Sequence, residues 1–302
     1  MARAKQPKQI PQMAVQQWEA LFPTEDRCRI YLANNRWGKN VVCPRCGNPE
    51  AKPHNTMPHY WQCYSCAPDG YRFSVLVGTI FENTNMPLRT WFRVIHITLI
   101  SKKGVSALQV HRTIGTGSYR TAWYMCHRIR AALQDKDFRK LMGIVEVDET
   151  WIGGKDKNRH WDKRSGSAGG PGTGKTPIIG PVERKGSVVT RVLQRVTRKA
   201  AEGFVREVVS NKVSLLATDE GGAYRALTDF PRGSVNHQAG QYVFGSIHIN
   251  TIEGFWSIFK RGIVGSFHKV SAEYMPLYVA EFQFRYNNRM NADIFGTAIK
   301  GC

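Results

Sequence analysis

The stretch IVEVDETWIGG, residues 144–154, decides the fold. Its apolar pattern is that of a strand, and Asp148 falls at the centre or end of that strand with polar neighbours Glu146 and Glu149. An acid inside such a run needs a reason, because burying an unpaired carboxylate is costly. Downstream, TPIIGPVERKGSVVTRVLQRV (176–196) reads as two more strands joined at Lys185-Gly186, and RKAAEGFVREVVSN (198–211) as a helix. VSLLATDE (213–220) follows as a buried strand ending on Asp219. A short helix (GAYRAL), a brief strand (GSVNHQ) and a long helix from about His248 to Lys260 complete the series. Hairpin strands that precede a parallel crossover predict a mixed α/β sheet with flanking helices.

Upstream the composition changes three times. Residues 1–37 are a basic, polar lead with one short helical reading, AVQQWEALF, ended by Pro23; residues 38–85 are rich in Cys, Pro, Gly and aromatics. Residues 86–140 have helical periodicity, and 141–302 hold the α/β pattern. The 302 residues, 42% hydrophobic, suffice for one sizeable core and one or two small modules. Forty-three Lys and Arg against 23 Asp and Glu give a net charge of +20, spread along the whole chain, which points to a polyanionic partner. The N-terminal MARAKQPKQIPQMAVQQWEAL lacks the apolar core of a secretory signal, and the chain has no run of about 18 apolar residues. A cytosolic location is expected.

Four of the seven cysteines form two pairs, Cys43-Pro-Arg-Cys46 and Cys63-Tyr-Ser-Cys66, separated by 16 residues. Each CxxC puts two sulfurs on one tight turn, and two such turns close a tetrahedron around a structural Zn²⁺ with no open position for substrate. His54 and His59 between the pairs read as loop residues, Cys28 and Cys126 as small apolar residues, and Cys302 as a terminal thiol.

Between the cysteines and the α/β region, Leu88, Trp91, Phe92, Ile95 and Leu99 make one buried helical face. A second helix over about 106–114 ends at Gly115-Thr116-Gly117, and Ser118 caps a third. Three short helices with Gly-containing turns outline a helix-turn-helix. On the third, Ala122, Met125, Cys126, Ile129 and Leu133 face inward, while Arg120, Tyr124, His127 and Arg128 form a basic, aromatic outer face suited to DNA.

Asp219, at the carboxyl edge of a buried strand, occupies the position where open α/β sheets carry their sites. Glu253 follows 34 residues later on NTIEGFWSIFK, where Ile252, Phe255, Trp256 and Phe259 make the core stripe. Asn250, Glu253, Ser257 and Lys260 form the adjoining polar stripe. Three carboxylates from separate elements can hold two Mg²⁺ ions about 4 Å apart, the arrangement for displacement at a phosphodiester. Lys260 would take a DNA phosphate.

The stretches VEVDETWIGGK, TDEGGAYRAL, VNHQAGQYVFGSIHINTIEGFWSIFKRGI and EFQFRYNNR, with CPRCG and KKGVSALQVHRTIG, resemble the ISXO-type insertion-sequence transposases over about residues 15–295. The resemblance implies a ribonuclease H-like catalytic domain of the DDE class, bacterial origin, and two Mg²⁺ (or Mn²⁺) ions. It also implies cleavage at the ends of an element and strand transfer of the 3′-hydroxyl into target DNA. Asp148, Asp219 and Glu253 match the acidic triad, and Lys260 matches the basic residue seven after the glutamate. The third acidic position varies in this group, so Asn250 stays open as an alternative ligand. His237 and His248 also lie in matching motifs, as phosphate contacts or as satisfied polar residues near the site. Lys260 and Arg261 join Arg120, Tyr124, His127 and Arg128 as the expected contacts to double-stranded DNA. Synapsis of two ends calls for a homodimer or higher oligomer. Two other readings stay open: a zinc-ribbon regulator without catalysis, and a nuclease that cuts without joining. GGPGTGKT (169–176) fits the GxxxxGKT pattern, but a strand follows it where a phosphate-binding loop requires a helix, so no nucleotide cofactor is expected.

Overall fold

In the computed structural model the described residues are 13–135, 138–154, 158, 160–164, 174–219, 224, 226–235 and 248–302. They form two units, Met1–Leu133 with Arg289–Cys302, and Gln134–Asn288. Among them no helix is long and apolar enough to cross a membrane.

The first unit begins with α1 (Val15–Leu21) and α2 (Glu25–Trp37). Thr24 starts α2 by accepting from the Arg27 N–H at 3.3 Å, and Glu25 and Asp26 complement the helix dipole in its first turn. The sequence reading missed this helix because only Cys28 and Leu32 are buried along it, too sparse a stripe to register as a period. The strands β1 (Lys52–Pro53), β2 (Tyr60–Cys63) and β3 (Tyr71–Ser74) form a small antiparallel sheet in that order. Next come α3 (Leu88–Ile100), α4 (Ala107–Ile114) and α5 (Tyr119–Ala132), at the positions the periodicity predicts. Ser106 and Ser118 cap the latter two, and Gly115 ends α4 in the left-handed region (φ 71°). Pro87, ahead of α3, offers no side-chain acceptor; Glu25 supplies one from α2, accepting from the Leu88 and Arg89 N–H groups at 2.8 and 2.9 Å.

The second unit is built on β4 (Ile144–Ile152), with β5 (Thr176–Glu183) and β6 (Arg191–Val192) added antiparallel on one side. After the crossover helix α6 (Arg198–Val208), β7 (Leu215–Asp219) and β8 (Arg232–Val235) add in parallel on the other, giving the order β6-β5-β4-β7-β8. This is the mixed sheet the sequence predicts. The turn between the hairpin strands places Lys185 at φ 62°, and the Gly186 N–H donates to the Glu183 carbonyl at 2.9 Å. Strand alternation divides the core: Val145, Val147, Ile179 and Leu216 pack with Phe204, Val205 and Val208 of α6. On the opposite face Ile178, Val182 and Ala217 pack under α7 (Asn250–Gly262) and α8 (Met275–Asn287). Of the short helix read over GAYRAL, Gly222, Ala223 and Arg225 fall outside the described residues, as do His237 and 165–173 of the glycine-rich loop. Thr176 opens β5, so a strand does follow that loop.

The last helix, α9 (Ile294–Gly301), belongs to the first unit, although the sequence division places 289–302 with the catalytic region. Its Phe295 enters a ring cluster with Phe22, Phe92 and Tyr31, at centroid distances of 5.3, 5.5 and 6.0 Å. Beyond its end, the Cys302 carbonyl accepts from the Ile80 N–H at 2.8 Å.

Candidate active site and zinc centre

Around the end of β2 in the small sheet the four cysteines converge. Cys43 and Cys66 sulfurs are 3.8 Å apart, Cys46 and Cys63 3.6 Å, and Cys63 and Cys66 3.8 Å, with no disulfide among them. Sulfurs bound to zinc at about 2.3 Å lie about 3.8 Å apart along the edge of a tetrahedron, so the spacing suits that ion. The Cys46 thiol is pulled down to about 7, chiefly by the backbone N–H of Asn48, whereas burial pushes the Cys63 thiol up and the Cys66 thiol up to about 12. His54 and His59 stand aside: His54 Nδ1 accepts from the Met57 N–H at 3.2 Å, and His59 Nε2 lies 2.8 Å from Asp26 Oδ1.

The acids of the second unit assemble from three elements. Val147 opposite Thr218 is the last parallel pair between β4 and β7, and one residue further stand Asp148 and Asp219. Both share the strand face of Ala217, the face that α7 covers. Asp148 lies across from Gly180 of β5, where a Cβ would come within 2.7 Å of the Trp256 ring; the missing side chain lets α7 settle against the sheet beside the aspartates. Glu253 lies exposed in the first turn of α7. Asp148 is pushed up to about 7, first by burial, then by Glu149, with further pushes from Asp219 and Glu253. Asp219 and Glu253 are therefore close enough for their charges to reach Asp148. The three acids are more widely set than the cysteines, which form the one group among the described residues with all ligand atoms within 4.8 Å.

Two further groups border the acids. Glu149 points to the opposite face, where burial raises its carboxyl. Tyr224 is buried beside it and raised well above its usual value by burial and by the Glu149 charge, although its hydroxyl makes no hydrogen bond of good geometry. Glu146, on the Asp148 face, is fully buried and accepts from the Thr251 N–H at 2.7 Å, the Ile252 N–H at 3.1 Å and the Arg184 Nε–H at 2.5 Å. Sequence reading treated it as a mere polar neighbour. Its place two residues before Asp148, on the same side of an apolar strand, was the available signal.

Asn250 and Glu253 share the exposed side of α7 one turn apart, and Lys260 and Arg261 lie exposed in its last turn. Arg261 donates to the Ser257 carbonyl and hydroxyl at 3.1 and 2.9 Å. His248, half-buried, has Nδ1 3.3 Å from Glu146 Oε1 in an orientation that makes no hydrogen bond. In the first unit the expected DNA face divides. Arg120 and Tyr124 are exposed and stack together at 5.5 Å, with Tyr119 exposed beside them. His127 is instead buried, stacked on Trp123, with Nδ1 3.0 Å from the Trp123 carbonyl oxygen. Arg128 lies over Trp91 and donates to the Glu82 carbonyl at 3.2 Å.

A four-cysteine ribbon ahead of a mixed α/β domain with acids where the parallel pairing of β4 and β7 ends defines a zinc-ribbon protein of the ribonuclease H-like type. Residues 140–287 match the ISXO2-like transposase domain, and residues 23–68 match the transposase zinc-ribbon domain. The chain belongs to this family of insertion-sequence transposases. It is also similar to an uncharacterized protein in transposable element ISH50 of Halobacterium salinarum, 29% identical over 278 residues, covering 87% of this chain and 91% of the relative.

Proposed function

We propose that the chain cleaves DNA at the ends of its own insertion sequence and joins the freed 3′-hydroxyl to target DNA, using Asp148, Asp219 and Glu253. One observation carries the reading: two aspartates stand side by side where the parallel pairing of β4 and β7 ends, with Glu253 near enough to raise Asp148, inside the matched transposase domain. The donor set is all carboxylate oxygen, the chemistry that hard cations prefer, and a carboxyl raised by burial and then by neighbouring acids fits a site that takes a cation. These residues would hold two Mg²⁺ or Mn²⁺ ions, which supply activation of the attacking oxygen and stabilisation of the leaving oxygen when bound. Lys260, two turns or about 10 Å along α7 from Glu253, engages a phosphate of the bound strand and keeps the scissile bond over the acids. Arg261 holds the same backbone. Arg120 and Tyr124, at the start of α5, present the outward surface for element-end DNA, and a dimer or larger assembly brings two ends together.

Full-length protein with Mg²⁺ and a duplex carrying the element's terminal repeats tests this. Nicked ends and end-joined target are expected, and Asp148→Asn, Asp219→Asn and Glu253→Gln should each abolish both while leaving DNA binding intact. Cutting without joining would assign a nuclease, binding without cutting a regulator. Retained activity in all three variants would remove these acids from the site. Loss of activity in Asn250→Ala with retention in Glu253→Gln would transfer the third role to Asn250.

A further inference from the structure

Glu146 takes no part in the chemistry above, yet its carboxylate is 0% exposed and has every near neighbour a carboxylate can use. Oε2 accepts from the Thr251 and Ile252 N–H groups at 2.7 and 3.1 Å, and Oε1 from the Thr251 hydroxyl at 2.8 Å and the Arg184 Nε–H at 2.5 Å. α7 needs such an acceptor, because Ile249 ahead of it has no side chain that could cap the orphan donors of its first turn. Arg184 reinforces the junction by donating from Nη2 to the His248 carbonyl at 2.9 Å.

The contact joins the two elements that carry the acids. Asp148 comes two residues after Glu146 on the same strand face, about 7 Å along β4. Glu253 comes one residue after Ile252. A carboxylate seated on two successive N–H groups fixes both the height and the rotation of α7 over the strand. Replacing a buried ion pair with apolar residues is often neutral for stability, so stability alone is a weak reason for one here.

We propose that Glu146, buttressed by Arg184, is a positioning residue that sets the separation between Glu253 and the two aspartates, and so the affinity and geometry of cation binding. This rests on the acidic trio proposed above. Glu146→Gln preserves shape but has a single amide oxygen, which can serve the α7 donors or Arg184 and not both. With the full-length zinc-loaded protein, kcat for end cleavage should fall roughly 10- to 100-fold, since displacements near 1 Å have effects of that order. KM for the DNA end should stay within about twofold, the half-saturating Mg²⁺ should rise, and Mn²⁺ should recover part of the rate. Calorimetric titration of Mn²⁺ into DNA-free protein should show binding weakened severalfold.

Thr251→Val removes only the hydroxyl contact and should shift metal dependence in the same direction by a smaller factor. Wild-type kcat and Mn²⁺ affinity in Glu146→Gln would overturn the proposal. So would a loss that merely tracks the folded fraction while Thr251→Val leaves metal dependence untouched, since that is the behaviour of a simple cap. Asp148→Asn in the same assay separates the two readings. If it is active, the acidic trio is wrong; if it is inactive beside an unaltered Glu146→Gln, only the positioning role fails.

Discussion

Under the proposed function, Asp148 couples stability to activity through one side chain. Its folded-state value of about 7 lies above the ordinary 3.8, so the folded protein holds this proton more tightly than the unfolded chain does. The resulting stability is present in full below the unfolded value and is lost as pH rises through about 7. Without Mg²⁺ and with zinc retained, urea unfolding should therefore show this contribution declining from about pH 4 to pH 7, and Asp148→Asn should remove the decline. At pH 8 that variant should be more stable than wild type, by up to about 4 kcal/mol, while being inactive. Equal pH profiles for the two proteins would contradict this. Asp148 and Asp219 stand out in the sequence because a charge interrupts an apolar strand pattern. Glu146 does not, because its partners Arg184 and Thr251 lie on other elements, and strand parity gives a face but not a neighbour. His127 was read outward for a similar reason: the apolar stripe of α5 looks narrow until Trp123 is seen to stack on it.

At the scale of elements, α7 depends on a side chain that is missing. Gly180 lies where a Cβ would sit 2.7 and 2.9 Å from two Trp256 ring carbons and 3.3 Å from Ile252. Gly180→Ala should push the middle of α7 off the sheet, lowering stability by about 1–3 kcal/mol as overpacking does, with cleavage reduced beyond the folded fraction. Thermal melts and single-turnover cleavage would check both. The ribbon depends on metal in the same way that α7 depends on space. Its core is three cysteines and Phe73 with a few half-buried rings, too little to hold three short strands unaided. Cys63→Ser should abolish zinc retention, measured by atomic absorption, and expose β1–β3 to protease while β4–β8 stay protected. Both the ribbon and the three helices after it were legible, because cysteine spacing and cap residues are local signals. α2 and α8 were not: one buries only two residues, and the other carries buried Glu281 and Gln283 within its apolar face.

For the molecule as a whole, a net charge of +20 distributed along the chain makes ionic strength the first control on DNA affinity. Six to ten phosphate contacts would lower affinity roughly 10³- to 10⁵-fold between about 50 and 200 mM salt, and a flat salt dependence in a binding titration would argue against an extended DNA interface. Phe295, near the far end of the sequence, packs against Phe22 and Phe92, near its beginning. Phe295→Ala should lower the stability of the first unit by about 3–5 kcal/mol, read from a tryptophan signal at Trp18 or Trp91 in denaturant. The order of residues did not disclose this closure, since apolar periodicity reports that a helix is buried but not against what. Domains fold as units while a chain is being made, usually the earlier one first. Here the cysteine-bearing unit, though begun first, lacks the helix that completes its aromatic centre until the β4–β8 sheet has been synthesised. The first unit is thus completed only after the whole of the β4–β8 sheet has been made.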